Sequence, residues 1–315
     1  MKRIIAKNDY GEKKTFERWN GRFLGESDLD EIIHITEDTV VVRPDSTLID
    51  SGIPIAYVVL NAFPDDKIRN VLYGIEETSV MRANCSGPID KDEMAKKGLI
   101  EGRDYKLRSP NSYYVKTKSG GWGMIAYANE IHSLMIGVKR GRFTGKINIS
   151  NEDKWKQLKN LCVYNEQAFQ KAAPEIYKKQ RIFAEETIKP EHRHGMITTL
   201  SANRYSALQS KAMSIHSDGK DVEMTTMCCF RQGDYTGAYL SFPRWGIGLD
   251  LPDNSVCIAD SQSLHGVTAI YGSGQRFTTV AYTDRSCATL GHMGKSERLI
   301  GRFAKNESGN LEDFL

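Results

Sequence analysis

Between residues 196 and 283 the chain breaks into short apolar or alternating runs, a cadence that restricts the fold more than any other feature of the sequence. The runs are Met196–Asn203, Ala212–His216, Val222–Arg231, Gly237–Phe242, Ser255–Asp260 and Arg276–Thr283, with Gly, Asp and Pro turns between them. Several short strands at near-regular spacing predict a jelly-roll barrel. Upstream, 153–188 has helical periodicity: Trp155, Leu158, Leu161 and Cys162 form one stripe, and Phe169, Ala172, Ala173 and Ile176 another. Pro174 is placed to begin a second helix, since proline is tolerated in a first turn and disruptive later. These helices are expected to brace one sheet of the barrel, with their aromatic residues in the core.

The N-terminal part reads as scaffold. Residues 1–50 are polar and irregular, with one or two short strands suggested by Ile32, Ile33, Ile35 and Thr39–Arg43. Ala56–Leu60 reads as a buried strand, and Pro64-Asp65-Asp66 as a helix start ahead of Ile68, Val71, Leu72 and Ile75. The expectation is an α+β chain in a single domain over 1–315. N-terminal strands, a helix and substrate-facing loops occupy 1–150, bracing helices 151–190, and a catalytic jelly-roll core 196–285.

Inside the strand-rich region lie Ser-Ile-His216-Ser-Asp218 and Ser263-Leu-His265-Gly-Val. His216 and Asp218 alternate at period two, so on an extended segment both reach one face, and a distant strand must bring His265 to the same point. An isolated His-x-Asp usually marks a turn or a surface pair. Here strand-like runs intervene, a second His sits on such a run, and Arg276 follows His265 after a turn at Gly272-Ser-Gly274. Two imidazoles and a carboxylate on one face of a metal leave the other positions open, as in the facial triad of non-haem Fe(II) oxygenases. A fixed guanidinium at Arg276 can clamp a carboxylate bidentately. No matching carboxylate follows His192-Arg-His194 at short range, and Pro190 marks a loop, so the pair reads as surface or substrate rim.

The bulk properties exclude little. A net charge of +3 neither demands nor excludes a nucleic-acid partner, because phosphate binding depends on a local basic face. Lys139, Arg140, Arg142 and Lys146 make the most basic patch, either a phosphate-contacting hairpin or a solvated face. The irregular stretch from Met81 to Ser119 carries Arg82 and Asn84, which can read a base edge, and Tyr113 and Tyr114, which can stack on one; it is equally a solvated surface loop. The six cysteines lack CxxC pairing and read as reduced, buried thiols. With no signal peptide or membrane span in the sequence, the expected place is the cytoplasm, or wherever intracellular DNA is.

Three blocks carry a more specific likeness: Gly237-Ala-Tyr-Leu-Ser-Phe242-Pro243-Arg-Trp-Gly246-Ile-Gly-Leu-Asp250, then Asp260-Ser261-Gln-Ser-Leu264-His265-Gly-Val-Thr268, then Gln-Arg276-Phe-Thr278-Thr-Val-Ala-Tyr282. Over about residues 200–285 the chain resembles the 2-oxoglutarate dioxygenases of the TET/JBP family, which oxidise the methyl group of 5-methylpyrimidines in nucleic acid. The Phe-Pro-x-x-Gly block is the discriminating part. The resemblance implies a double-stranded β-helix, with Fe(II) held by His216, Asp218 and His265 as the catalytic centre. It implies 2-oxoglutarate and molecular oxygen as co-reactants, and Arg276 with the Thr278 hydroxyl on the far carboxylate. Asn203 and Tyr205 stand before the His-x-Asp strand, as a similar pair does in AlkB-like enzymes, and either touch the cosubstrate or pack a strand end.

The expected partner is DNA, bound by a monomer, with the target base flipped out because a methyl group in a duplex cannot reach iron at the bottom of a barrel. Arg82, Asn84, Lys139, Arg140, Arg142 and the pair Arg244-Trp245 are candidates for phosphate and base contacts. The leading expectation is oxidation of 5-methylcytosine to 5-hydroxymethylcytosine, perhaps further. Thymine hydroxylation on DNA is the neighbouring alternative; a hydroxylase of a small molecule or peptide side chain is another, and a catalytically dead binding module a third.

Overall fold

From residue 199 onward the chain crosses back and forth between two sheets that share one core. The computed structural model describes residues 1–44, 53–64, 163–187, 213–219 and 221–283, the backbone of 105–107, 115–117 and 199–206, and the single positions 69, 95 and 100. Ahead of the barrel come β1 (Lys2–Ile5), α1 (Glu12–Trp19), β2 (Glu31–His34), β3 (Thr39–Val42), β4 (Pro54–Leu60), β5 (Tyr105–Leu107), β6 (Val115–Thr117), a helical stretch over 163–172 and α2 (Pro174–Thr187). The barrel strands are β7 (Thr199–Ser206), β8 (Met213–His216), β9 (Thr225–Gln232), β10 (Tyr235–Gly237), β11 (Leu240–Phe242), β12 (Ile247–Asp250), β13 (Ser255–Ala259), β14 (His265–Val267), β15 (Ile270–Gly272) and β16 (Gln275–Tyr282).

The larger sheet runs β1-β3-β4-β13-β9-β16-β7 and the smaller β2-β12-β11-β14-β8, with β10-β15 and β5-β6 as two-stranded ribbons. In chain order β7, β9, β13 and β16 fall in one sheet, and β8, the β11–β12 hairpin and β14 in the other, with antiparallel pairing throughout. That alternation is the double-stranded β-helix, the jelly roll expected from the strand cadence. The N-terminal strands extend both sheets, β4 along β13 and β2 along β12.

Period-two alternation assigns the two faces of the larger sheet. Val256, Ile258, Cys228, Phe230, Phe277 and Ala281 pack outward with Ala168, Phe169, Ala173 and Ala184 of the helices. Their neighbours Cys257, Ala259 and Cys229 turn inward to meet Leu240, Phe242, Trp245, Ile247 and Leu249 of the smaller sheet. The helices therefore brace the sheet from behind. Gln180 of α2 adds a polar clamp, its amide donating to Met224 O at 3.0 Å and accepting from Met224 N–H at 3.4 Å, so the start of β9 is held from outside.

Two expectations are corrected here. Residues 1–44 are more regular than their polarity implied, for they contain β1 and α1. The run Gly237–Phe242 is two strands, because Gly237 and Ala238 take positive φ of 80° and 52° and turn the chain between β10 and β11. The Phe-Pro-x-x-Gly block is the β11–β12 turn: Trp245 N–H donates to Phe242 O at 3.1 Å, and Gly246, at φ 64°, leaves room for the Asp30 carboxylate where a Cβ would stand. Cys228, Cys229 and Cys257 are buried free thiols, and burial pushes Cys228 and Cys257 up to about 12. Among the described residues no helix is long and apolar enough to cross a membrane.

Candidate metal centre

β8 and β14 lie side by side in the smaller sheet, and their register sets His265 directly opposite His216. The edge of β8 is itself held, since Ile215 exchanges backbone hydrogen bonds with Arg22 and Gly21 at 2.8 Å. Behind the pair, Ile215 and Leu264 pack with Leu24, so the two histidines, one residue on in each strand, face the other way. The rings are 4.6 Å apart between centroids, and Phe242 stands 6.4 Å from His265.

One carboxylate completes the group. Asp218 Oδ2 is 3.8 Å from His216 Nε2 and 3.6 Å from His265 Nε2, and the donor atoms of all three residues lie within 4.8 Å of one another. Two ligands in adjacent positions around one ion are roughly 3 Å apart when each bond is about 2.1 Å. The separations from Asp218 to the two imidazoles exceed that by about 0.6 to 0.8 Å, a shift on the scale of a rotamer adjustment of a half-exposed side chain.

The tautomers also suit an ion. His216 Nδ1 lies 2.7 Å from Ser214 O and His265 Nδ1 lies 2.9 Å from Ser263 O. A carbonyl only accepts, so each Nδ1 carries the hydrogen, and in the neutral ring the lone pair is left on Nε2, toward Asp218. This is the arrangement by which outer hydrogen bonds orient metal-ligating imidazoles. Burial, and the charge of His265, hold His216 below its ordinary value. His265 also feels burial, which lowers it, but the hydrogen bond and charge of Asp218 outweigh that and raise it. A cation binds the Nε2 atoms only where both rings are neutral, so metal and proton compete for the site.

Arg276 lies on β16 facing the barrel interior and is 1% exposed. Its guanidinium donates to Ala238 O and lies 3.3 Å from Met227 Sδ, and its charge reaches Tyr235, Cys229 and Cys257. Thr278, two residues on, is also buried, and its hydroxyl donates to Cys228 O at 2.6 Å. The register of β7 on β16 pairs Tyr205 with Arg276 and Asn203 with Thr278, so these four positions form a block of two adjacent strands.

Arg244 and Trp245 do not form an exposed base-receiving face. Trp245 is fully buried, with the guanidinium carbons of Arg43 and Arg244 5.4 and 5.5 Å from its ring centre, and Arg244 is held by two 2.8 Å bonds to Asp9. Arg82, Asn84, Lys139, Arg140, Arg142, Lys146 and the His192-Arg-His194 pair lie outside the described residues. A cavity of about 380 Å³ opens beside the loop that leads into β14, lined in part by Thr15, Arg43, Arg244, Gln262 and Leu264; no triad residue lines it.

Sequence reasoning missed Asp221. Its carboxylate is buried three residues past Asp218, and burial, with the Asp218 charge, pushes it up to about 7. It accepts from Thr225 Oγ1 at 2.8 Å and Ser261 Oγ at 3.0 Å. The available signal was an acidic residue immediately ahead of a long apolar strand, which also describes many turns.

No family model and no curated protein matches the chain. Among solved structures it is similar to NgTET1 in complex with 5mC DNA, with 13% identity, 88% of each chain covered and a TM-score of 0.44. It is also similar to the viral collagen prolyl hydroxylase of Paramecium Bursaria Chlorella virus-1 in its 2OG complex, with 11% identity over 73% of this chain and 96% of that one, at a TM-score of 0.31. A third is an oxidoreductase of the 2OG-Fe(II) oxygenase family from Burkholderia pseudomallei, with 10% identity, 81% and 99% coverage and a TM-score of 0.28. Each is a distant likeness of chain path.

Proposed function

We propose that the chain is an Fe(II)- and 2-oxoglutarate-dependent dioxygenase that oxidises the methyl group of 5-methylcytosine in DNA to 5-hydroxymethylcytosine. The observation that carries the oxygenase reading is the His216–Asp218–His265 group, with both Nε2 lone pairs turned toward one carboxylate. Two neutral nitrogens and one oxygen suit iron, and three ligands leave room for cosubstrate and oxygen. Iron with 2-oxoglutarate and oxygen supplies oxidation of a C–H bond to an alcohol, coupled to decarboxylation of the cosubstrate to succinate.

The residues of this chain do the rest. His216, His265 and Asp218 hold the ion, and the Nδ1–H bonds keep both imidazoles in the binding tautomer. Arg276, buried in the barrel, receives the far carboxylate of the cosubstrate, with Thr278, Asn203 and Tyr205 beside it on β16 and β7. Phe242 stands beside His265, with the buried Trp245 behind it. The substrate half of the proposal rests on the resemblance of the Gly237–Tyr282 blocks. It assigns DNA contacts to Arg82, Asn84, Lys139, Arg140 and Arg142, and requires the base to leave the duplex.

The test is incubation with Fe(II), 2-oxoglutarate and oxygen on methylated DNA, unmethylated DNA and RNA, followed by digestion and mass analysis of nucleosides. The expected product is 5-hydroxymethylcytosine from methylated DNA, with matching succinate, absent in the His265→Ala protein. Hydroxymethyluracil from unmethylated DNA moves the substrate to thymine. Succinate without an oxidised base moves it to a small molecule or peptide, and absence of iron uptake overturns the oxygenase reading altogether.

A further inference from the structure

Asp221 sits at the junction of the two segments that carry Asp218 and His265. On its Oδ2 converge Thr225, the first residue of β9, and Ser261, from the loop leading into β14; the two hydroxyl oxygens are themselves 2.8 Å apart. The same loops are laced by the backbone. Asp218 N–H donates to Ser261 O and Asp221 N–H to Asp218 O, both at 2.8 Å, and the Gln262 side chain donates to Asp221 O at 3.3 Å.

The loop over 260–263 therefore serves both ligands. Ser261 O fixes the backbone of Asp218, while Ser263 O accepts the Nδ1–H that orients His265. The far end of this loop is already rigid, because Asp260 accepts from the Gln262 and Ser263 N–H groups and from the Ser263 hydroxyl at 2.6 Å. On the side facing Asp218, the Asp221 carboxylate is the side-chain tie. A buried polar network with its groups satisfied specifies one arrangement of the segments that it joins.

We propose that Asp221 is a positioning residue for the metal centre, its carboxylate holding the segments of Asp218 and His265 at the separation at which three donors share one ion. The proposal rests on reading the triad as a metal site. Loss of such outer partners weakens metal binding by about 10- to 100-fold in well-studied sites, without touching a ligand.

The test uses the full chain without cosubstrate and cobalt(II) as the probe, whose visible bands report ligand geometry. Asp221→Ala is expected to bind cobalt about 10- to 100-fold more weakly than wild type with displaced bands, and Asp221→Asn to fall between, since the amide keeps one acceptor. Asp253→Asn is the comparison for stability alone: its carboxylate accepts from Arg231 N–H at 2.8 Å and from Arg69 at 2.6 Å, and its loss is expected to lower the melting temperature with cobalt affinity unchanged. If Asp221→Ala fails to fold, Asp221→Asn and Ser261→Ala carry the same expectation. Wild-type affinity and bands in the folded Asp221 variants, whatever their melting temperatures, overturn the proposal. Wild-type protein that takes up no cobalt overturns the triad reading and this one together, whereas uptake by wild type and variants alike overturns this one alone.

Discussion

A neutral imidazole has one lone pair, and at His216 and His265 a backbone carbonyl two residues upstream decides which nitrogen carries it. The three donors that the structure brings together were readable from residue type, spacing and the strand-like runs around them. The orienting carbonyls and Asp221 were not, since they depend on how two loops distant in sequence pass each other. Arg276 was readable as a cation on the final strand, but its burial adds interior packing to the cosubstrate capture proposed for it. Arg276→Ala removes a charge-assisted pair worth about 2 to 5 kcal/mol and leaves a void. Arg276→Lys keeps the charge and most of the stem while losing the planar fork. Both variants are expected to bind 2-oxoglutarate more weakly, the alanine by roughly one and a half to four decades, with iron affinity retained. Titration of cosubstrate into the iron-loaded protein under nitrogen measures it, and an unchanged constant for both variants would assign the carboxylate to another group.

At the scale of elements, strands whose residues alternate or stay apolar announced themselves: β4, β8, β13 and β16 fall within a residue or two of expectation. Elements broken by glycine did not. β12 contains Gly248, and the β10–β11 run is interrupted where Gly237 reaches φ 80°, so a one-dimensional pattern saw no strand in the first and one strand in the second. Gly237 has no room for a side chain. A Cβ there would stand 2.0 Å from Ala269 O, a backbone atom in the strand junction opposite. The neighbouring carbonyl of Ala238 receives the Arg276 guanidinium, so displacement of this corner reaches the proposed cosubstrate site. Gly237→Ala combines a disfavoured backbone conformation with a backbone clash and is expected to destabilise the protein by about 2 to 4 kcal/mol. It should also weaken 2-oxoglutarate binding. Denaturant unfolding beside cosubstrate titration checks both, and a stability within about 0.5 kcal/mol of wild type would mean that the corner relaxes freely.

For the whole molecule, the two-sheet architecture and the triad support the oxygenase reading proposed above, while the choice of substrate depends on surfaces around the barrel. With Trp245 buried and Arg244 engaged by Asp9, that pair supplies no stacking face, and weight moves to the basic run of Lys139, Arg140, Arg142 and Lys146. Such a run says how many charges are available but not which way they face, which is why the sequence left it open. Duplex binding decides it thermodynamically, because each phosphate neutralised by a protein cation releases condensed counterions. The expectation is an affinity for methylated duplex that falls steeply between about 50 and 200 mM salt, with a log-log slope near −0.9 per phosphate contacted. Neutralising the four residues one at a time to glutamine should flatten the slope by about one unit for each true contact and leave discrimination between methylated and unmethylated DNA intact, since phosphates position and bases specify. Cosubstrate turnover without DNA should be indifferent to all four changes. A slope that keeps its wild-type value in the quadruple variant would return the run to an ordinary solvated face and send the search for the DNA grip to the 81–119 stretch.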